Sequence, residues 1–490
     1  MKKLLTLVLV LALFVPAFAM AEDAPYEIEI MLPDFYTEAF QAEDNAVIQA
    51  MEAATNTKLT FTFVADAAYL ETLSLTLSDS ANMPEIIVIK GHQDPVFVSS
   101  ARAGAFWDIT DYIDDFEYLS QGSDVVYDAI KIDGSLYGIY RSRALARNGI
   151  IYRSDWAEEL GLGVPETLDD LANMAKAFTD PAKGTYGIVM CKYVDGTIKI
   201  ATIMHGAPNT WGVNENGDIY PAHEDAKFIE GLTWLRDLYA AGAINQDFMV
   251  LESTNWVDPI RNNQAGIKLD CMDDGYRQQE WFETNKGETE IIFNMIPFVK
   301  NAEGEERMWP TAGHAGEVSI TKAVKTEEDL LKCLAFLDFL NSPEGQTLAN
   351  WGVEGVTYWT DEEGYRIATP DKEKEEIVLA VQHSINQIGM GVPGALDHPM
   401  KQEGLRKLYN DNLLTYQGYV IGNPCAAFVS ETATTIGTQL NTLLEDGCVQ
   451  YIANQISLEE LQAIFTQWSE EGGAQMTAEM NEMYHAAQAE

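Results

Sequence analysis

An α/β fold divided into more than one unit is what this sequence predicts, on three observations. Short apolar runs alternate with helical patterns from about residue 26 onward. One of these runs, Ile86-Ile87-Val88-Ile89, is unbroken, as in a strand buried on both faces of a parallel sheet. And 490 residues, 47% of them hydrophobic, are more than a single core accommodates.

The elements follow in order. Ile28, Ile30 and Leu32 alternate with Glu27, Glu29 and Met31, which predicts a strand with the first set inward, before Pro33-Asp34 opens a loop. Val47, Met51 and Ala54 lie on one face of a helix. Phe61 to Val64 is a second strand. Asp66 is placed to cap a helix that turns Leu70, Leu73 and Leu77 inward, and Met83-Pro84-Glu85 leads into the run at 86–89. A second α/β region begins near Ile150. There Thr167 and Asp170 have capping-box spacing ahead of Leu168, Leu171, Ala175 and Phe178. A helix from about Glu224 to Ala241 buries Phe228, Leu232, Leu235 and Tyr239, and Gly242 ends it. Thr326 precedes a helix with Leu330, Leu334 and Leu337 inward. Ser457 and Glu460 form a second capping box, with Leu458, Leu461, Phe465 and Trp468 on one face, and Gly472-Gly473 as the stop.

The N-terminus reads as an export signal. Lys2 and Lys3 precede an apolar run from Leu4 to Val15, and Ala17-Phe18-Ala19 and Ala19-Met20-Ala21 both fit the cleavage pattern, so residues 1–21 are expected to be removed. A bilayer span needs about 20 apolar residues, and this run is shorter. The formal charge of −45 disfavours nucleic acid and anionic lipid as partners. Five scattered cysteines (Cys191, Cys271, Cys333, Cys425 and Cys448) include no C-x-x-C pair, so no metal, cofactor or disulfide framework is expected.

Catalytic motifs do not assemble. Gly389 to Gly394 matches G-x-G-x-x-G but contains Pro393 and follows a helical pattern, so it reads as a loop. Ser319 to Lys322 matches S-x-x-K without its companion motifs. Asp270 to Gly275 fails as a calcium loop, because Met272 and Trp281 occupy ligand positions.

Four segments carry a resemblance. Asp133-Gly134-Ser135-Leu136-Tyr137-Gly138-Ile139 is followed by Ile151-Tyr152-Arg153-Ser154-Asp155-Trp156-Ala157. Then come Trp351-Gly352-Val353-Glu354-Gly355-Val356-Thr357-Tyr358 and Gly472-Gly473 with Glu479 to Tyr484. Together they resemble the family 1 extracellular solute-binding proteins of ABC importers, within them the long LipO-type subgroup. The resemblance implies a two-lobe, periplasmic-binding-protein-like fold (type II), each lobe a sheet flanked by helices, with cleft and hinge between. It places residues 24–142 and 312–355 in lobe 1, and 143–311 and 356–490 in lobe 2. It also implies a non-enzyme that closes over a small solute, expected to be a mono- or oligosaccharide, and delivers it to permease subunits as a monomer. Members of the subgroup are usually lipid-anchored through a cysteine at the cleavage site. This chain has none there, so a periplasmic or secreted protein is expected. A calcium loop seen in related receptors is reduced here to Asp180-Pro181-Ala182-Lys183-Gly184, too few oxygen ligands for the ion.

Sugar recognition calls for aromatic faces and planar polar groups on loops at the carboxyl ends of strands. The candidates are Asp34, Tyr36, Arg141, Trp211, Trp256, Asp274, Tyr276, Trp309 and Glu354, whereas Trp156, Trp234 and Trp468 lie on helical patterns and read as core. Two other readings stay open: a secreted glycoside hydrolase, and a receptor for a peptide or other non-sugar solute.

Overall fold

The computed structural model describes residues 24–34, 45–65, 68–79, 82–90, 94–371, 373–375, 377, 385–389, 391 and 403–488. The signal segment, Phe35, Tyr36 and Asp66 lie outside them. Along the chain, β1 (Tyr26–Asp34), β2 (Thr57–Ala65), β3 (Ile86–Ile89) and β4 (Ile139–Ser142) come first. They are followed by β5 (Asn148–Arg153), β6 (Tyr186–Ile188), β7 (Trp211–Val213), β8 (Ile219–Pro221), β9 (Ala265–Cys271) and β10 (Phe293–Ile296). The chain then continues with β11 (His314–Ile320), β12 (Tyr358–Thr360) and β13 (Arg366–Ala368).

Two main sheets result, ordered β2-β1-β3-β11-β4 and β10-β5-β9-β6. In the first, β1 runs parallel to β2 and β3, while β11 enters antiparallel between β3 and β4. Consecutive strands β4 and β5 belong to different sheets, as do β10 and β11, so the chain crosses between lobes at 143–147 and again at 297–313. Each sheet has its own buried core. Ile385 and Ile388 pack into the first core, and Leu405, Tyr409 and Leu413 into the second lobe. Among the described residues the chain thus still packs with the first lobe at 385–388, beyond the expected boundary at 356. The Trp351–Tyr358 element leads into the β12–β13 hairpin, a turn that keeps the chain on the first lobe.

Most helices form where the pattern places them, and the exceptions have local causes. Asn45 caps the Ala46–Thr55 helix by accepting from the Val47 and Ile48 amides. Val47, Ile48 and Met51 are buried and Ala54 is exposed, so the inward stripe is rotated from the expected one. In the Tyr69–Ser78 helix the stripe is Tyr69, Leu73 and Leu77, with Leu70 51% exposed. Tyr69 wins because its hydroxyl donates to the Val88 carbonyl at 2.7 Å, tying the helix to β3. The same helix covers Met31, which is buried despite its place in the alternation. The Thr167–Asp170 and Ser457–Glu460 capping boxes both form. Leu458 is exposed, however, and Gly472 (φ 135°) bends the chain through a π turn into a further helix, Ala474–Gln488. There Asn481 brackets Ile219 of β8, accepting from its amide at 2.6 Å and donating to its carbonyl at 2.9 Å. Trp211, Ile219, Cys425, Leu440, Trp468, Met476 and Met480 close a last small core. All five cysteines are free.

One buried group in the first sheet is out of keeping with its surroundings. Glu317 of β11 is fully buried between Ile89 and Tyr140, and among the described residues neither carboxyl oxygen has a hydrogen-bond partner. A methyl group at Gly138 would sit 2.6 Å from Glu317 Oε2, so only glycine there leaves room. Burial pushes the carboxyl up to about 8 from its ordinary 4.5. Because the folded state holds this proton more tightly than the unfolded chain, its contribution is complete below 4.5 and is lost as pH rises toward 8. The loss between pH 4.5 and 7 is on the order of 3 kcal/mol. Glu317→Gln, with no proton to lose, should flatten the decline in chemical-denaturation stability over this range; identical slopes in the two proteins would contradict the assignment.

Candidate ligand-binding site

Strands β6 and β9 run parallel and end on the same edge of the second sheet, where α/β folds present their ligand sites. The edge lies against the first crossing: Asn148 pairs with Cys271, and the Met272 amide donates to the Arg147 carbonyl at 2.8 Å. Three aromatic rings gather there. Tyr193, just before the Val194–His205 helix, is 47% exposed and meets Trp256 edge-on, with ring centroids 6.2 Å apart. Trp309, on the second crossing, is the third; its carbonyl accepts from the Asn148 amide at 3.3 Å. Gly196 lets the rings close in, since a methyl group there would lie 3.0 Å from Tyr193 and 3.6 Å from Trp309. Lys199 stands 5.5 Å from the Trp309 ring centre.

Charged groups support the corner from behind. The Lys268 ammonium is buried, pairs with Asp270 at 2.8 Å and with Asp274, and rests 4.1 Å above the Trp256 ring. Burial works against its charge, but the two carboxylates prevail and hold the ammonium above its usual range. The Trp256 indole N–H donates to the Val189 carbonyl at 3.1 Å, so the ring is fixed from two sides. Next along, Asp273 accepts both arms of Arg147 at 2.9 Å and lies 2.6 Å from Arg277. Burial alone would raise the Asp273 carboxyl; the Arg147 bonds and charge and the Arg277 charge bring it below the usual carboxylate range. The Cys271 thiol is pushed up to about 12, by burial and then by Asp270, so it is no nucleophile at neutral pH. From Tyr193 a cavity of about 550 Å³ continues between the Val194–His205 and Glu431–Ile452 helices, past Asp195, Lys199, Thr202 and Glu445.

The expected site residues divide. Trp256, Trp309 and Asp274 meet at this edge, Trp256 as a support with one face under Lys268 and Asp274 as a partner of that lysine. Asp34 ends β1, half-buried, at the corresponding edge of the first sheet. Arg141 is buried and directs its guanidinium to the carbonyls of Gln387 and Ala315 and to the Gln387 side chain, a structural clamp beside the hinge. Trp211 is buried in the small C-terminal core. Tyr276 packs on Tyr409, with Arg406 4.3 Å above it, at a helix–helix contact. Glu354 accepts from Thr360 at 2.8 Å beside its own hairpin. Tyr36 lies outside the described residues. No sequence motif marks Tyr193, Asn148 or Lys268, and Asp270 reads in the sequence only as the start of a failed calcium loop. Tyr193 carried a signal, since it follows the Tyr186–Ile188 strand and opens a helix.

Two sheets joined by crossings, with an aromatic and ion-paired wall at the carboxyl ends of one of them, define a two-lobe solute receptor. Comparison places it further: the chain belongs to the bacterial extracellular solute-binding protein family, whose model matches residues 35–347. It is 30% identical over 472 residues to lipoprotein LipO of Bacillus subtilis (strain 168), covering 94% of this chain and 92% of that one. It is 29% identical over 458 residues to the polygalacturonan/rhamnogalacturonan-binding protein YtcQ of the same organism, covering 91% and 89%. Among solved structures, the alginate-binding protein AlgQ2 without calcium ion superimposes with a TM-score of 0.68 at 19% identity, covering 94% of this chain and 98% of that one. The substrate-binding protein FusA of Streptococcus pneumoniae in complex with kestose gives 0.66 at 15% identity, covering 94% and 99%. No helix among the described residues is long and apolar enough to cross a membrane.

Removing the buried ammonium while leaving its two carboxylates should be costly. Lys268→Met is expected to lower unfolding free energy by about 3–5 kcal/mol at neutral pH, with part of the loss recovered in acid. Equilibrium denaturation at pH 7 and pH 4 measures both; a variant as stable as the parent at pH 7 would remove Lys268 from its organising role.

Proposed function

We propose that this solute-binding protein is exported, captures a carbohydrate between its lobes and hands it to the permease subunits of an ABC importer. One observation carries the sugar assignment: the Tyr193–Trp309 corner, two aromatic rings around a bare glycine with the planar carboxylate of Asp270 alongside and the buried Asn148 amide behind, bonded to the Trp309 carbonyl. Sugar rings offer a C–H face to aromatic carbon and paired hydroxyls to planar side chains, and this corner supplies both. The adjoining cavity, lined by the second lobe alone, has the volume of a small-ligand pocket. Relatives named for polygalacturonan or rhamnogalacturonan and for fructooligosaccharide support the same class of solute.

The hydrolase reading fares less well. Glycoside cleavage by two carboxyls needs one that arrives carrying a proton. At this edge Asp270, Asp273 and Asp274 are each ion-paired, and none is placed as a donor; in the adjoining cavity burial and then Asp195 raise the Glu445 carboxyl, while Asp195 itself is paired with Lys199 at 3.0 Å. Glu317, which does hold a proton near neutral pH, is sealed in the first core.

Binding should raise the melting temperature, and go on raising it with the logarithm of ligand concentration above saturation, with the saccharide recovered unchanged. Tyr193→Ala and Trp309→Ala should each weaken the best ligand about tenfold by calorimetry, the worth of one ring contact. Release of shortened saccharide by the parent protein would instead establish the hydrolase.

A further inference from the structure

A ribbon of charge leads from the aromatic corner to the hinge, and its far end holds more cationic hydrogen-bond donors than its carboxylates can accept. The order is Lys268 with Asp270 and Asp274, then Arg277, Asp273 and Arg147. Asp274 is shared between Lys268 and, at 3.7 Å, Arg277. Asp273 alone receives two guanidinium groups.

A guanidinium has five N–H donors, and a carboxylate about four acceptor sites. Arg147 uses Nε and Nη2 on Asp273; among the described residues its remaining N–H groups make no bond, and its side chain is 27% exposed. Arg277 touches the same carboxylate through Nη2 and adjoins the Tyr276 hydroxyl, with 51% of its side chain exposed. Arg143 sits four residues before Arg147 on the same crossing, its backbone held by the Gly313 carbonyl at 2.8 Å and its guanidinium donating to the Ser142 carbonyl at 3.1 Å. Its guanidinium is held below its usual range by burial and then by Arg147, and Asp273 offsets this only in part. So Arg143, Arg147 and Arg277 crowd around Asp273 at the hinge of a protein whose formal charge is −45. Two planar guanidinium forks with donors to spare match the two oxygens of a carboxylate better than the scattered hydroxyls of a neutral sugar.

We infer that Arg147 and Arg277 form an anion subsite beside the aromatic corner, and that the solute is an oligosaccharide bearing a carboxylate, a uronate. The inference rests on the carbohydrate-receptor reading and narrows it. The sugar ring stacks at Tyr193 and Trp309, and a neighbouring uronate unit turns its carboxylate to the arginines. Asp273 holds Arg147 in place, and the carboxylate accepts the donors that Asp273 leaves over.

The test uses the full exported chain and two arms of probes. One arm holds galacturonate, glucuronate and mannuronate oligomers; the other holds glucose, galactose, mannose and fructose oligomers of the same lengths. Thermal-shift screening of the parent, followed by calorimetry on the best binder of each arm, should give at least tenfold tighter binding in the uronate arm. Arg277→Gln should cut uronate affinity tenfold or more, and so collapse the ratio between arms. Arg277→Lys, which restores charge without the planar fork, should recover part of it. The melting temperature of each ligand-free variant checks that the fold persists, and the exposed position of Arg277 favours this. Binding confined to the neutral arm, or a ratio that Arg277→Gln leaves intact, overturns the anion subsite while the receptor reading stands. No binding in either arm overturns the carbohydrate reading, and this inference with it.

Discussion

Burying the ammonium of Lys268 is the demand around which the edge of the second lobe is organised. An amine cannot lose its water without compensation, and two carboxylates and an indole face supply it here. That arrangement fixes Asp270 at the end of β9, sets Asp274 in the first turn of the Asp273–Lys286 helix, and orients Trp256 so that its N–H meets the Val189 carbonyl. Tyr193 then has a rigid ring to lean on. The exposed aromatic surface is thus the outermost layer of a structure whose inner layer is electrostatic.

The hinge region obeys a related logic. At the first crossing Arg141 is drawn into the protein by backbone carbonyls and Gln387, while Arg147 is held by Asp273. One arginine anchors the crossing to the first lobe and the other to the second, so the residues between them take up any change in angle. Gln387 comes from a late segment that still packs with the first core, which ties three distant stretches of chain to one point.

Much of this was legible in the sequence, and the parts that were not share a cause. The capping boxes at Thr167 and Ser457 and the all-apolar run at 86–89 are local signals, and local physics decides them. Inward stripes were misjudged where a tertiary partner chose between neighbours: Tyr69 displaced Leu70 because a hydroxyl found the Val88 carbonyl, and Met31 went under a helix that alternation could not foresee. The candidate site was harder still. Loop tryptophans look alike in sequence, yet Trp211 seals a core, Trp256 braces a wall and Trp309 lines one, depending on residues far along the chain. Tyr193 was passed over because its neighbours, Gly196, Trp256 and Trp309, converge only in space. Lys268, in the middle of a strand, gives no outward sign that two acids await it.

The bend at Gly472 has a consequence for how the molecule folds. It returns the Ala474–Gln488 helix onto the β7–β8 hairpin, where Asn481 brackets Ile219, and Met476 and Met480 complete a core begun by Trp211. Hairpin and helix thus shield each other's apolar flank, and neither is finished as a surface until the other is in place, so this part of the second lobe gains its order as one cooperative unit.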